Sequence, residues 1–232
     1  MPPAPRIILF DVDGTLIRSG GAATRALERA FAVALGLEDV VADFSFAGMT
    51  DRLIFRRMLE AQGLEAGEDH IERILEAYPE ILREEIAAAE GYRVNPGIEE
   101  GLQALALSGR GDVAVGLGTG NVEEGARIKL ERADLNRHFP FGGFGCDAED
   151  RAELLAAGAA RGAERLGRPV AECSVLVVGD TPRDVSAAHA IGARCLALAT
   201  GGASRPALAE AGADHLFDDM AEAGALEILL AD

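Results

Sequence analysis

Only one lysine, Lys129, stands among the 22 basic residues of this 232-residue chain, so arginine carries nearly all of its positive charge. That charge is itself in short supply, since 39 acidic residues leave a formal net charge of −17. Such a surface repels phosphate backbones and anionic bilayers, which argues against nucleic acid or a membrane as partner. An anionic small molecule must therefore be drawn in by local positive features. Cysteine is scarce as well: Cys146, Cys173 and Cys195 are odd in number, widely spaced and outside any C-x-x-C pattern. Neither a disulfide framework nor a zinc site is expected from them, and buried reduced thiols are. No apolar run approaches the ~18 residues that span a bilayer. Residues 1–6 offer neither a basic n-region nor an apolar h-region, so a cytoplasmic protein is expected. The four histidines, His70, His138, His189 and His215, show no ligand spacing.

What is present is a composition able to build a core. Hydrophobic residues make up 49% of the chain, which excludes disorder, and the length suits one domain with a large insertion or two small domains. Residues 7–10 form a continuous apolar run, as expected for a strand covered on both faces. Helical spacing then predicts helices over 22–36, 50–62 and 68–89, with no strand between them. The Asn95-Pro96-Gly97 turn signal closes this segment. From there short apolar runs alternate with helices, the pattern of a parallel sheet: helix 98–107, strand 113–117, helix 122–133, weak strand 141–144, helix 148–166, strand 174–178, helix 182–191 and strand 194–198, with further αβα elements from 205. The expected fold class is α/β, a doubly wound and mostly parallel sheet formed by residues 1–17 and 95–232, interrupted by an all-helical insertion at 18–94.

Doubly wound sheets hold ligands at the carboxyl ends of their strands. Those ends read Asp11-Val12-Asp13-Gly14-Thr15, Gly118-Thr119-Gly120-Asn121 and Gly179-Asp180-Thr181-Pro182-Arg183-Asp184. Each has an ordinary reading. Asp13-Gly14 is a turn dipeptide, Thr119 or Asn121 an N-cap, and Thr181-Pro182 a cap with proline at the first helical position. Together, Asp11, Asp13 and Asp180 make an oxygen-rich group suited to Mg²⁺. Thr119 and the backbone N–H groups around Gly120 and Asn121 suit a phosphate at a helix N-terminus.

With these three motifs, over nearly its whole length, the chain resembles the haloacid dehalogenase superfamily, in particular phosphatases of the phosphoglycolate phosphatase-like kind. The resemblance implies a Rossmann-like core and a helical cap, with Asp11 as nucleophile and Asp13 as general acid and base. It implies Thr119 and Gly120 at the phosphoryl group. Mg²⁺ would be held by Asp11, Asp180 and the backbone carbonyl of Asp13, with Asp184 in support. A basic residue is expected some two to three dozen positions before the last motif, where Arg151 stands. Lys129, much earlier and inside a helix, is the alternative, otherwise a solvated helix position. The loop 47–52, through Gly48, Thr50 and Asp51, is the expected substrate contact, with Thr50 as a helix cap in the plainer reading. Residues 19–21 are the expected hinge.

The implied activity is hydrolysis of a small phosphorylated metabolite through an aspartyl-phosphate. A second Asp in the first motif favours phosphate over halide chemistry, and the absence of lysine from 18–94 removes the branch that cleaves phosphonates through a Schiff base. A sugar phosphomutase, a phospho-acceptor module and a catalytically silent relative are the competing readings. A dinucleotide fingerprint around Gly116 and Gly118 fails because Asn121 stands where glycine is needed. Monomer and homodimer are both open.

Overall fold

The computed structural model describes residues 4–41 and 46–231. In chain order the elements are β1 (Arg6–Phe10), β2 (Ile17–Ser19), α1 (Ala22–Leu35), α2 (Asp51–Ala61), α3 (Glu68–Ala88), β3 (Tyr92–Val94), α4 (Ile98–Leu107), β4 (Val113–Gly118) and α5 (Glu123–Glu131). They continue with β5 (Gly142–Gly143), α6 (Arg151–Leu166), β6 (Ser174–Gly179), α7 (Pro182–Ala190), β7 (Arg194–Leu198), α8 (Arg205–Glu210), β8 (His215–Phe217) and α9 (Ala225–Leu230). Among the described residues no helix is long and apolar enough to cross a membrane.

β1 is buried at every position because it lies in the middle of a six-stranded sheet of order β5-β4-β1-β6-β7-β8. All its pairings are parallel, so every strand ends on the same edge. Alternation along β1 divides the core. Ile8 and Phe10 pack with Leu102 of α4, Leu130 of α5 and Leu229 of α9, whereas Ile7 and Leu9 pack with Leu155 of α6 and Val185 of α7. Each such buried side chain contributes about 1.5–3 kcal/mol. Two covered faces account for the unbroken apolar runs read from the sequence.

The insertion buries a third apolar cluster. Phe31, Phe55, Met58 and Tyr78 from its three helices pack together and against Ile128 of α5. It is not all-helical, because β2 and β3 pair antiparallel into a two-stranded ribbon where the chain leaves and re-enters the sheet layer. Three-residue strands carry too little periodicity to be read. The strand expected over 141–144 is reduced to two glycines, since a Cβ on Gly143 would sit 1.8 Å from the Leu154 carbonyl oxygen of α6. Helix α6 begins at Arg151, later than expected, because the Asp150 side chain caps it by accepting from Ala152 N and Glu153 N. Of the three cysteines only Cys195 is buried. Cys146 is exposed and Cys173 is intermediate, as loop and strand-edge positions allow.

Candidate active site

The ends of β1, β4 and β6 bring Asp11, Thr119 and Asp180 to one cavity of about 470 Å³, which Asp13, Gly48, Asp51, Lys129 and Arg151 also line. Asp11, Asp180 and Asp184 are all buried, and one carboxylate oxygen from each lies within 4.8 Å of the others. This corrects the carboxylate trio expected from the sequence, in which Asp13 stood where Asp184 is found. The chain leaves the sheet after Phe10, and the Asp13 side chain turns to a different set of partners.

Burial is the main cause that raises Asp11 to about 6. Arg151 opposes it and Asp184 reinforces it. Asp180 is raised well above the ordinary carboxylate range by burial, then by Asp184 and Asp11. Buried carboxylates in mutual repulsion, with hard oxygen donors turned to a common point, fit a divalent cation. The donors are fixed from outside: Thr15 Oγ1 donates to Asp180 Oδ1 at 2.8 Å. A Cβ on Gly201 would lie 1.6 Å from Asp180 Oδ2, so only glycine admits the carboxylate there.

Arg151, the first residue of α6, stands opposite this group. Its Nη2 lies 3.0 Å from Asp11 Oδ2 and 2.5 Å from Asp184 Oδ1. Asp184 has a second task. It accepts from Thr181 N and Thr181 Oγ1 while Thr181 accepts from Asp184 N, a reciprocal cap at the start of α7 with Pro182 at the first position. The cap reading of this motif is observed, and the same residues face the cavity group.

Lys129 is not a solvated helix position. It is buried, its Nζ lies 2.7 Å from Asp13 Oδ2, and it also donates to Asn121 Oδ1. Burial pulls the ammonium pKa down, but Asp13, Tyr78 and Asp51 outweigh that and hold it above the ordinary lysine value. The sequence offered Lys129 only as the alternative to Arg151 or as a solvated position, although it falls on the buried stripe of α5 with Gly125, Ala126 and Ile128. Asn121 Nδ2 completes the arrangement by donating to Asp13 Oδ2 and to Thr119 Oγ1, each at 2.8 Å. The Thr119 hydroxyl in turn favours the ionised form of Asp11.

The loop before α2 closes one wall. Asp51 N donates to Gly120 O at 2.8 Å, and the Asp51 carboxylate accepts from Val122 N, so α5 is capped from the insertion rather than by Thr119 or Asn121. Gly48 and Asp51 line the cavity, but Thr50 does not. The Thr50 hydroxyl makes no cap bond and donates instead to Glu149 O at 3.1 Å, which corrects both readings made for it.

Known proteins resemble this chain over most of its length. A family model described as haloacid dehalogenase-like hydrolase matches residues 5–192. The chain is 32% identical to phosphoglycolate phosphatase 1 of Pseudomonas aeruginosa over 209 residues, covering 85% of this chain and 70% of the relative. It is also 32% identical to a phosphoglycolate phosphatase of Rhodospirillum rubrum over 234 residues, covering 95% of this chain and 90% of the relative. Among solved structures, a predicted phosphoglycolate phosphatase from Haemophilus somnus 129pt superposes with a TM-score of 0.70 at 21% identity, covering 97% of each chain.

Proposed function

Because the chain belongs to the haloacid dehalogenase-like hydrolase family and is a phosphatase of it, we propose that it hydrolyses a small phosphorylated metabolite through an aspartyl-phosphate on Asp11, with Mg²⁺ as its ion. The observation that carries the reading is the convergence on Asp11. It is a buried carboxylate at the end of a central strand, sharing one cavity with Thr119, facing Arg151 and adjoining Asp180.

Asp11 and Asp180, with the Asp13 backbone carbonyl, would hold Mg²⁺. Bound there, the ion supplies positive charge against the phosphoryl oxygens. The residues divide the remaining work. An Asp11 oxygen bonds to phosphorus as the ester P–O bond breaks, which splits one difficult displacement into two. Asp13 gives its proton to the departing oxygen and takes one back from the water that cleaves the acyl-phosphate, a contribution typically of about 10²–10⁴-fold. Arg151 and Thr119 hold the transferring oxygens, where charge complementarity is the main source of rate. Gly120 lies beside them at the same strand end. Asp184 keeps Arg151 oriented and fixes the start of α7. The helices of the insertion act as a cap over the cavity, with residues 19–21 as its hinge. Lys129, held as an ammonium against Asp13, is not available as the neutral amine that Schiff-base chemistry needs.

Phosphate release from p-nitrophenyl phosphate and a panel of phosphorylated metabolites, headed by phosphoglycolate, tests the reading. Activity should require a divalent cation and vanish in Asp11→Asn. Full activity in that variant would contradict the covalent route.

A further inference from the structure

Two positive charges in the cavity are left unused by the chemistry above. Arg18 of β2 and Arg93 of β3 are direct cross-strand partners in the antiparallel ribbon, so their side chains leave the same face. Both line the cavity that contains Asp11. The cavity's other cations are committed, Lys129 to Asp13 and Arg151 to Asp11 and Asp184. Arg18 is held in place by neutral groups: Nε donates to Thr200 O and Nη2 to Gly201 O, each at 2.8 Å. Carbonyls satisfy its donors and leave its charge uncompensated. Arg93 is exposed and has no hydrogen-bond or ion-pair partner among the described residues.

This contrasts with the helices of the same insertion, where Arg25, Arg29, Arg52, Arg56 and Arg83 all pair with glutamates. Like charges directly opposite one another in a ribbon repel. In a chain with 39 acidic residues against 22 basic ones, such a pair without a carboxylate partner needs an anion from elsewhere. A forked guanidinium suits a carboxylate or a phosphate equally.

We propose that Arg18 and Arg93 form a second anion subsite, which takes a carboxylate or a second phosphate carried on the leaving group. The substrate class is then a small phosphate monoester with a further anionic group. The inference rests on the phosphatase reading above, and it explains how a strongly acidic protein draws in a doubly anionic molecule.

Steady-state kinetics of the full chain decide it, with three substrates that share a two-carbon leaving group: 2-hydroxyethyl phosphate, phosphoglycolate and ethylene glycol bisphosphate. At least one anionic member should exceed the hydroxyl member in kcat/KM by roughly ten- to a hundredfold, mainly through KM, as expected for a charge-assisted contact. Whether the carboxylate or the phosphate arm shows it identifies the anion. Arg93→Ala should cut that preference by about tenfold or more, and Arg93→Lys should restore part of it, since lysine keeps the charge and loses the fork. Equal kcat/KM for all three substrates, or a preference that survives Arg93→Ala, would overturn the subsite while leaving the phosphatase reading intact. No phosphate release from any substrate, p-nitrophenyl phosphate included, would overturn both.

Discussion

Lys129 Nζ lies 2.7 Å from Asp13 Oδ2, while Arg151 Nη2 lies 3.0 Å from Asp11 Oδ2, so two carboxylates separated by a single residue face different cations. Separate partners allow Asp11 to stay at the phosphorus and Asp13 to serve the leaving group. The sequence posed Arg151 and Lys129 as alternatives for one place, and the structure gives each a place of its own.

Lys129→Met should therefore act on turnover. It frees Asp13 from its ammonium and leaves the buried Asn121 Oδ1 without its donor. The Asp13 side chain is 40% exposed, so water screens the pair and its stability share is small. The stranded amide costs about 1–3 kcal/mol. We expect kcat/KM for p-nitrophenyl phosphate to fall on the order of 10²-fold, the scale of a displaced acid and base. Unchanged kinetics with a lowered unfolding midpoint would make Lys129 purely structural.

Gly201 and its neighbour Gly202 form a controlled pair. A Cβ at Gly201 would meet Asp180 Oδ2 at 1.6 Å, whereas one at Gly202 meets nothing within 4 Å. Gly201→Ala should raise the Mg²⁺ concentration needed for half-maximal activity by roughly 10–100-fold, as displaced support around metal ligands does. Gly202→Ala should leave it close to wild type. A magnesium titration of both variants checks this, and equal curves would remove Asp180 from the metal site.

Much of this site was readable before the structure because strand ends on a parallel sheet converge by topology alone. The apolar runs of β1, β4 and β6 placed Asp11, Thr119 and Asp180 together, and the helix 98–107 and strand 194–198 were found at their observed bounds. Contacts set by the insertion were not readable. Nothing local shows that Asp51 caps α5 across the chain, or that Arg18 and Arg93 face each other over a gap of 75 positions. Lys129 was misread because a lone lysine among glutamates resembles a solvated residue, although its helical phase already placed it inside.

Asp51 makes stability depend on pH. Burial is the main cause that raises it to about 6, while Lys129 and the Val122 N–H pull the other way. With a folded pKa above the unfolded one, the native state binds more protons between about 4 and 6, so this group's contribution to stability falls as pH rises through that window. Asn at this position keeps an acceptor for Val122 and carries no charge. The stability of Asp51→Asn relative to wild type should improve on going from pH 4 to pH 7, by up to about 3 kcal/mol. Urea unfolding at the two pH values measures it, and a pH-independent difference would contradict the raised pKa.

The covalent bond expected at Asp11 can be trapped chemically. Acid-quenching the enzyme during turnover, reducing with borohydride and sequencing the peptide that spans 6–16 tests it most directly, because an acyl-phosphate is reduced to an alcohol and a free carboxylate is not. Homoserine is expected in place of Asp11, dependent on substrate and absent from Asp11→Asn. An unmodified Asp11 in an enzyme quenched at full turnover, or a label on any other residue, would contradict it.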